Sequence, residues 1–242
     1  MGQIARESLD ELKEIFSWIN QRESSLNQRI TVLVGGWAVY SYNDYWGSID
    51  IDIITNSRTK KALKKYLLDH RDYHPDPETT NSVFKETNSG RVIIDIANRG
   101  SDIFEGNMDT IELSIVDDNT EVGNIEGVEV PVPNRSVLLM MKIKAAWDRK
   151  WRVNNDKSED PEWDRSKMIK DHSDILALID IEDEIGQLDI DLLGDFFRDH
   201  PFLESVIDDL SRSREAFAKY GIEPDDSRRL IDMFRSIVIQ DR

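Results

Sequence analysis

The hydrophobic pattern of this chain changes its period near residue 134. Before that point, short β-branched runs alternate with turn residues and a few helical stretches, whereas beyond it the apolar residues recur at helical intervals. Strand side chains alternate with a period of two, and amphipathic helices have a period of 3.6 residues. The sequence therefore predicts an α+β domain over residues 1–134, followed by an all-helical C-terminal domain over residues 135–242.

The same patterns predict the individual elements. Ser8-Leu9-Asp10-Glu11 has the spacing of a capping box at the start of an amphipathic helix, and Ser57 is expected to cap a lysine-rich helix that ends near His70. Asn88-Ser89-Gly90 has the chemistry of a hairpin turn, so its flanking strands should pair antiparallel. The expected strands are Ile30–Val34, Ile49–Ile54, Ser82–Thr87, Arg91–Ala97, Ile111–Val116 and Val128–Val132. The other expected helices are Trp37–Tyr45, Arg135–Arg152, Asp164–Ile181, Ile190–Asp199, Pro201–Tyr220 and Asp225–Ile239.

Composition narrows the classes of function. A formal net charge of −17 over 242 residues disfavours nonspecific binding to nucleic acid or to anionic membranes. Because the chain has no cysteine, it forms neither disulfides nor thiolate zinc sites. No apolar run approaches the roughly 20 residues of a membrane span, and the N-terminal segment lacks the apolar core of a signal peptide. We therefore expect a cytoplasmic protein with no membrane partner.

Charge is distributed unevenly along the second half. Residues 142–170 carry nine Lys or Arg against six Asp or Glu, whereas residues 171–242 carry eight against nineteen. A basic island in an acidic chain indicates a local anion site, although a solvated helix face would have the same composition.

Two aspartates alternate with isoleucines shortly after a glycine pair. Gly35-Gly36 is expected to end a strand and precede a helix, where backbone N–H groups and the helix dipole can hold a phosphate. In a strand, Asp50 and Asp52 would share one face with Cα atoms roughly 6.5–7 Å apart, and isoleucines would fill the other face. Mg²⁺ prefers such oxygen ligands. The alternative is the solvent face of an ordinary amphipathic strand.

A third aspartate, Asp95, lies in a strand that is apolar on both faces. Burying an unpaired carboxylate is costly, so Asp95 needs a partner. A metal ion shared with Asp50 and Asp52 would supply one, and a salt bridge to an arginine would supply another.

The glycine pair, the aspartate pair and the later strand aspartate resemble the signature of the DNA polymerase β-like nucleotidyltransferase superfamily. The segment GGWAV is similar to the glycine motif of aminoglycoside and lincosamide nucleotidyltransferases. The layout over about Thr31–Ile179, with VPVPNRSVLLMMKIKAAWDRK followed by RSKMIKDHSDILAL, is more similar to nucleotidyltransferases of the type II abortive-infection toxin group. The resemblance implies a mixed β-sheet with flanking helices, followed by the helical half.

The resemblance also implies a role for each matching residue. Asp50, Asp52 and Asp95 would be catalytic and would bind two Mg²⁺, while an acceptor hydroxyl attacks the α-phosphorus of a nucleoside triphosphate and pyrophosphate leaves. The residues expected to contact the nucleotide are Gly35, Gly36, Trp37, Ser48, Lys144, Arg149 and Lys170. The last of these is also spaced from Asp174 for an ordinary helical ion pair.

The sequence leaves the acceptor open. A toxin-like enzyme would modify tRNA or protein and could have an antitoxin-like protein partner, whereas a resistance-like enzyme would modify a small hydroxylated molecule. Relatives commonly carry an Arg shortly before the Ser or Thr that precedes the aspartate pair, but this chain has Tyr45-Trp46-Gly47 there. This departure motivates a third hypothesis, a non-catalytic nucleotide-binding or interaction protein on the same scaffold.

Overall fold

The computed structural model describes residues 1–26, 29–180 and 188–239. The chain divides into two compact units, one made of Met1–Ile103 and Glu112–Asn134, the other of Phe104–Ile111 and the described residues of Arg135–Arg242. The predicted α+β class and the helical second half are confirmed. The second unit also includes residues 104–111. The expected domain boundary assigned these residues to the first half, and that boundary stays a prediction.

The first unit contains a mixed five-stranded sheet with the strand order β1-β2-β5-β4-β3. Strand β2 runs parallel to β5, and the other neighbours in this sheet pair antiparallel. Two further two-stranded ladders pair β6 with β7 and β8 with β9. The elements of residues 1–134 are α1 (Gln3–Ser25), β1 (Val32–Val34), α2 (Gly35–Tyr42), β2 (Ile51–Thr55), α3 (Ser57–His70), β3 (His74–Pro75), β4 (Ser82–Thr87), β5 (Gly90–Asn98), β6 (Ile103–Phe104), β7 (Ile111–Glu112), a 3-10 helix (Leu113–Val116), β8 (Thr120–Ile125) and β9 (Val128–Pro133).

Helix α1 covers the sheet with the apolar stripe that the sequence predicted. It packs on β5 and β9, and its buried positions recur at helical spacing. The expected start at Ser8 is wrong because the helix begins at Gln3. Ser8 is fully buried inside the helix, where its Oγ accepts a hydrogen bond of 3.1 Å from the indole nitrogen of Trp37. The stripe comprises Leu9, Leu12, Ile15, Phe16 and Ile19.

A buried glutamate fixes the start of β1. Glu23, which is 3% exposed, accepts hydrogen bonds from the backbone N–H groups of Ile30 and Thr31 at 2.8 and 3.3 Å. The Thr31 hydroxyl donates to the same carboxylate and also lies 2.9 Å from the Thr55 hydroxyl at the end of β2. This contact joins α1 to β1 and β2, the strands that lead to Gly35 and Asp52.

Several local predictions in the first unit are confirmed. Helix α3 spans Ser57–His70 as expected, although the cap is Asn56, whose side chain accepts the Thr59 N–H at 2.8 Å. Strand β4 has the expected bounds, and it pairs with β5 through a two-residue turn flanked by the Thr87–Gly90 pair.

Other predictions in the first unit are wrong. Residues 113–116 form a 3-10 helix rather than a strand, and α2 begins at Gly35 and ends at Tyr42. Strand β2 begins only at Ile51. The unpredicted strand β8 is mostly exposed, so it lacks the apolar alternation by which a strand is recognised.

The second unit consists of helices. Helices α4 and α5 pack along each other, and α5 also packs on α8 and α9. The Asp160 side chain caps α5 by accepting the N–H groups of Glu162 and Trp163 at 3.1 and 3.0 Å. None of the described helices combines the length and apolar character that crossing a bilayer requires. The helices are α4 (Arg135–Asn154), α5 (Pro161–Ile179), α6 (Ile190–Asp199), a 3-10 helix (Pro201–Leu203), α7 (Glu204–Leu210), α8 (Arg214–Tyr220) and α9 (Pro224–Val238).

Some of the predicted helix boundaries in the second unit agree with the structure, and others do not. Helix α6 has the expected bounds. The single helix expected over Pro201–Tyr220 is wrong, because a turn at residues 211–213 separates α7 from α8. Helix α5 ends at Ile179, and the expected endpoint at Ile181 lies outside the described residues.

Removal of the Glu23 carboxylate should destabilise the first unit. Glu23→Ala leaves two backbone N–H groups and a hydroxyl without their acceptor, so we expect the free energy of unfolding to fall by about 2–4 kcal/mol. Urea titration followed by circular dichroism measures this change. Glu14→Ala removes an exposed carboxylate of the same helix, and we expect a change below about 1 kcal/mol. Equal effects of the two substitutions would contradict the anchoring role of Glu23.

Candidate functional site

Two of the three predicted aspartates lie side by side in the sheet. In the parallel ladder of β2 and β5, Asp52 is the register partner of Asp95. Partners in register project to the same face, with Cα atoms roughly 4.8 Å apart. Both residues are half-buried. The sheet therefore presents a pair of carboxylates on one face.

Gly35 makes the closest approach to this pair. Val34, the last residue of β1, is the register partner of Asp52, and the chain turns into α2 at the next residue. Gly35 has φ +69°, and a Cβ built on it would lie 1.9 Å from Oδ2 and 2.7 Å from Cγ of Asp52. No L side chain fits there without displacing the carboxylate. Position 35 thus requires glycine for both its backbone conformation and its space.

The N-terminus of α2 adjoins the same carboxylate. Val34 is the N-cap and provides no side-chain hydrogen bond to the first turn. The first N–H groups of a helix lack intrahelical acceptors and attract anions. The side chain of Trp37 is fully buried, so a nucleotide could meet this residue only through its backbone. Gly36 and Trp37 thus offer main-chain donors rather than side-chain contacts.

Ser82 is a further member of the site that the sequence analysis missed. It is 2% exposed, it is the register partner of Asp95 across the β4–β5 hairpin, and its hydroxyl donates a hydrogen bond to Asp95 Oδ1. The expected turn over Asn88-Ser89-Gly90 is one residue longer than the observed turn, and it would have placed Ser82 opposite Ile96 instead of Asp95. This hydroxyl donor on Oδ1 restrains the orientation of the Asp95 carboxylate.

Asp50 and Ser48 lie on the loop before β2. Asp50 occupies a bend one residue before the strand and is half-buried. The expected alternation is wrong at this end, because Ile49 is 42% exposed instead of packing in the core. Ser48 is buried, with 6% of its surface exposed. The ladder therefore fixes the position of Asp52 relative to Asp95, and it does not extend to Asp50.

The carboxylates of the candidate site provide some of the oxygen ligands that a cation such as Mg²⁺ prefers. Among the described residues, no group of three or more His, Asp or Glu is arranged to hold a metal ion. Mg²⁺, however, is usually held by one or two carboxylates together with waters and substrate phosphates, rather than by a cage of protein ligands. A register pair of carboxylates beside an anion-binding helix end has that composition. The assignment of Asp50, Asp52 and Asp95 to two Mg²⁺ stays a prediction.

The three predicted cationic residues lie in the second unit within a buried network of ion pairs. Lys144, which is 1% exposed, donates to the carbonyl oxygens of Glu105 and Asn107 at 2.8 and 3.0 Å and to Asp148 at 3.0 Å. Arg149 pairs with Asp171 at 3.1 Å. The basic island of the sequence is thus largely neutralised, and the expected phosphate contacts of these residues stay predictions.

The other cations of this network are also paired with carboxylates. Lys170 pairs with Asp174 at 2.9 Å, as its spacing allowed, and Lys142 pairs with both Asp171 and Asp174. Burial lowers the pKa of Lys170, with Asp174 opposing the shift. Arg152 joins Glu105, Asp148 and Asp164 at distances of 2.8–3.1 Å. Each cation of the network therefore has a carboxylate beside it.

Glu105 is the most perturbed acid of the network. Burial raises the pKa of Glu105 from 4.5 to about 7, although the neighbouring Arg149 opposes the shift. Burial also works to raise the pKa of Asp148, but hydrogen bonds with Glu105 and Lys144 outweigh it and hold this pKa below its usual value. Glu105 is therefore the member of this pair that still holds its proton as the pH rises from 4.5 towards about 7, while Asp148 is ionised.

The contact between Gly35 and Asp52 can be tested by a double-mutant cycle. Gly35→Ala should destabilise the protein by roughly 2–5 kcal/mol, through the positive φ and the overlap with the carboxylate. Asp52→Ala removes the two nearest atoms, so the penalty of Gly35→Ala should shrink by at least about 1 kcal/mol in that background. Urea unfolding of all four proteins measures the coupling.

Gly127→Ala is the matched control for this cycle. Gly127 has φ +91° with nothing within 4 Å of a built Cβ, so its substitution carries only backbone strain of about 1–2 kcal/mol. If Gly35→Ala costs no more than Gly127→Ala, the close approach to Asp52 is not a constraint on this fold.

Replacement of Glu105 should change the pH dependence of stability. A folded-state pKa raised above the unfolded value means that the folded state holds the extra proton, and this stabilisation is lost as the pH rises from 4.5 through about 7. Glu105→Gln keeps the neutral form at every pH. The variant should gain roughly 1–3 kcal/mol relative to the wild type between pH 5 and pH 8. Urea midpoints across this range that differ by a constant amount would refute the assignment of the proton.

Comparison with known proteins finds similarity to solved structures but not to any family model or curated sequence. No protein-family model matches the chain, and no curated protein matches it by sequence. Among solved structures, the chain is similar to an antigenic nucleotidyltransferase-like protein from Paracoccidioides brasiliensis, with 18% identity, coverage of 87% of this chain and 92% of that chain, and a TM-score of 0.49. At this identity and TM-score the match assigns neither a family nor an activity.

Proposed function

We propose that the protein is a metal-dependent nucleotidyltransferase that moves a nucleoside monophosphate from a nucleoside triphosphate to a hydroxyl acceptor. The observation that supports this proposal is the in-register pair of Asp52 and Asp95 beside Gly35 and the start of α2. An ordinary amphipathic strand explains one exposed aspartate. It does not explain two aspartates in register next to a glycine whose missing Cβ accommodates one of them.

The start of α2 would bind the triphosphate. The uncapped N–H groups of the first turn, including those of Gly36 and Trp37, are positioned to donate to phosphate oxygens. A phosphate can approach this backbone because neither Gly35 nor Gly36 has a side chain. The carboxylate of Asp52 is close by and would repel a bare triphosphate, so binding should require a cation between them.

The aspartate pair would hold that cation. Mg²⁺ bound between Asp52, Asp95 and the phosphates would neutralise the charge that develops on the phosphoryl oxygens. Asp95, oriented by the Ser82 hydroxyl, would accept the proton of the attacking acceptor hydroxyl. A new bond then forms between the acceptor oxygen and the α-phosphorus, the bond to the bridging oxygen breaks, and pyrophosphate leaves. Asp50 is the candidate ligand for a second Mg²⁺ from its bend before β2.

The mechanism does not require Lys144, Arg149 or Lys170. Each of these cations already has a carboxylate partner within the second unit, so a phosphate contact would have to replace an existing ion pair. Breaking a buried ion pair by removing one partner typically destabilises a protein by several kcal/mol. The proposal therefore places phosphate recognition on the main chain of α2.

For the acceptor, we propose tRNA or protein, on the toxin-like resemblance of the layout, and such an enzyme could have an antitoxin-like partner. A small hydroxylated acceptor is the alternative within the same chemistry. A non-catalytic nucleotide-binding or interaction protein is the alternative from another class, and it is motivated by Tyr45-Trp46-Gly47 at the place where relatives commonly carry an Arg. These alternatives differ in whether label is transferred and to which class of molecule.

Asp52→Asn and Asp95→Asn should abolish transfer. Each substitution keeps the shape and removes the charge that would hold Mg²⁺, so we expect transfer of α-labelled nucleotide to fall by at least about 100-fold while the circular dichroism spectrum is retained. The assay incubates protein, Mg²⁺ and each labelled nucleoside triphosphate with tRNA, protein extract or an aminoglycoside. Asp44→Asn, an exposed aspartate on the loop after α2, is the control and should retain activity.

Asp50→Asn distinguishes two metals from one. A loss as large as that of Asp52→Asn supports the three-carboxylate site, whereas a loss below about tenfold supports catalysis by the Asp52–Asp95 pair alone. Full activity in Asp52→Asn or Asp95→Asn would overturn the proposed mechanism. Nucleotide binding that is independent of Mg²⁺, together with no transfer to any acceptor, would favour the non-catalytic alternative.

A further inference from the structure

The second unit contains a cavity that the proposed reaction does not use. Its volume is about 430 Å³, and its wall is formed by α4, α5 and the segment from the end of α7 into α8. Sites for small molecules in proteins usually measure about 300–1,000 Å³. The cavity is therefore large enough for a small organic molecule.

A buried histidine without a partner lines this cavity. His172 is 3% exposed, and its Nδ1 is buried without a hydrogen-bond partner among the residues that the structure describes. Burial lowers the pKa of His172, so the ring is neutral near pH 7, although Asp171 and Asp209 oppose the shift. A neutral ring can donate or accept at Nδ1.

Two arginines on the same wall have no internal partner. Arg165 and Arg212 are exposed, and the structure gives their side chains no hydrogen bond or ion pair with any described residue. The third cation, Lys150, pairs with Asp209, which also lines the cavity. Glu215 is the other carboxylate of the wall. The lining thus has one more cation than carboxylate in a chain whose net charge is −17.

The rest of the lining consists of three apolar residues together with the polar Asn154 and Ser213. Val153 on α4 and Met168 and Ile169 on α5 supply side chains between the charged groups. An inorganic anion would leave this apolar surface in contact with water, and a neutral apolar molecule would leave the arginines without a counter-charge. A molecule with an apolar body and an anionic group would satisfy both.

We propose that this cavity is a binding site for a small organic anion. The carboxylate or phosphate group of the ligand is held by Arg165 and Arg212, and its apolar body lies against Met168 and Ile169. The site belongs to the helical unit alone, and it is independent of nucleotide transfer in the first unit.

Three naphthalene probes separate the contributions to binding. Titration calorimetry of the full-length protein would use 1-naphthyl phosphate, 1-naphthoate and 1-naphthol, which share the apolar body and differ in the head group. We expect both anions to bind at least about tenfold more tightly than the neutral naphthol. The tighter of the two anions identifies phosphate or carboxylate as the preferred head group.

Variants of the wall locate the binding. Arg165→Gln and Arg212→Gln should each weaken binding of the preferred anion by about tenfold and leave the naphthol unchanged. Arg229→Gln removes an exposed arginine on α9 and is the matched control, for which we expect no change.

Three outcomes would overturn the proposal. Equal affinity for all three probes would make the cavity an apolar pocket without anion selectivity. No binding of either anion up to millimolar concentration would leave water as its occupant. Anion binding that is unchanged in both Arg165→Gln and Arg212→Gln would place the ligand elsewhere on the protein.

Discussion

The contact between Gly35 and Asp52 determines the arrangement of the candidate site. Because a carboxylate oxygen of Asp52 occupies the space that a Cβ would take, the turn from β1 into α2 can be made only by glycine at position 35. The antiparallel register of β1 with β2 brings the turn to Asp52, and the parallel register of β2 with β5 brings Asp95 to the same face. A helix end and two carboxylates thus meet within the first unit, before any ligand contributes.

Charged side chains are arranged differently in the two units. In the first, carboxylates lie together beside a helix N-terminus, an arrangement that favours a bound cation. In the second, the cations that looked available in the sequence are paired with carboxylates, so the network around Lys144 and Arg149 stabilises packing between helices. Two cations without a described partner, Arg165 and Arg212, lie instead at the cavity beside His172. The proposed phosphate site and the proposed site for an organic anion therefore lie in different units and use different residues.

The features that could be predicted from the sequence are those that depend on residues close together in the chain. The period change near residue 134, the helix Ser57–His70 and the hairpin at Asn88-Ser89 depend on neighbouring residues, and all three appear in the structure. The pairing of Ser82 with Asp95 was missed because the sequence indicated a three-residue turn over Asn88-Ser89-Gly90, whereas Gly90 already pairs with Thr87 in the structure. The contact of Gly35 with Asp52 depends on strand register between distant segments. The pairing of Lys144 with the carbonyl oxygens of residues 105 and 107 depends on a segment that joins the second unit from far along the chain. Neither leaves a local signal.

The central claim is that Asp52 and Asp95 together hold a divalent cation against a nucleoside triphosphate. Electron paramagnetic resonance of Mn²⁺, used in place of Mg²⁺ with a non-hydrolysable triphosphate, tests it without requiring an acceptor. The account predicts that the wild-type protein depletes the signal of unbound Mn²⁺ beyond what the nucleotide depletes alone, and that Asp52→Asn and Asp95→Asn remove this difference. Identical spectra with the wild type and both variants would contradict it.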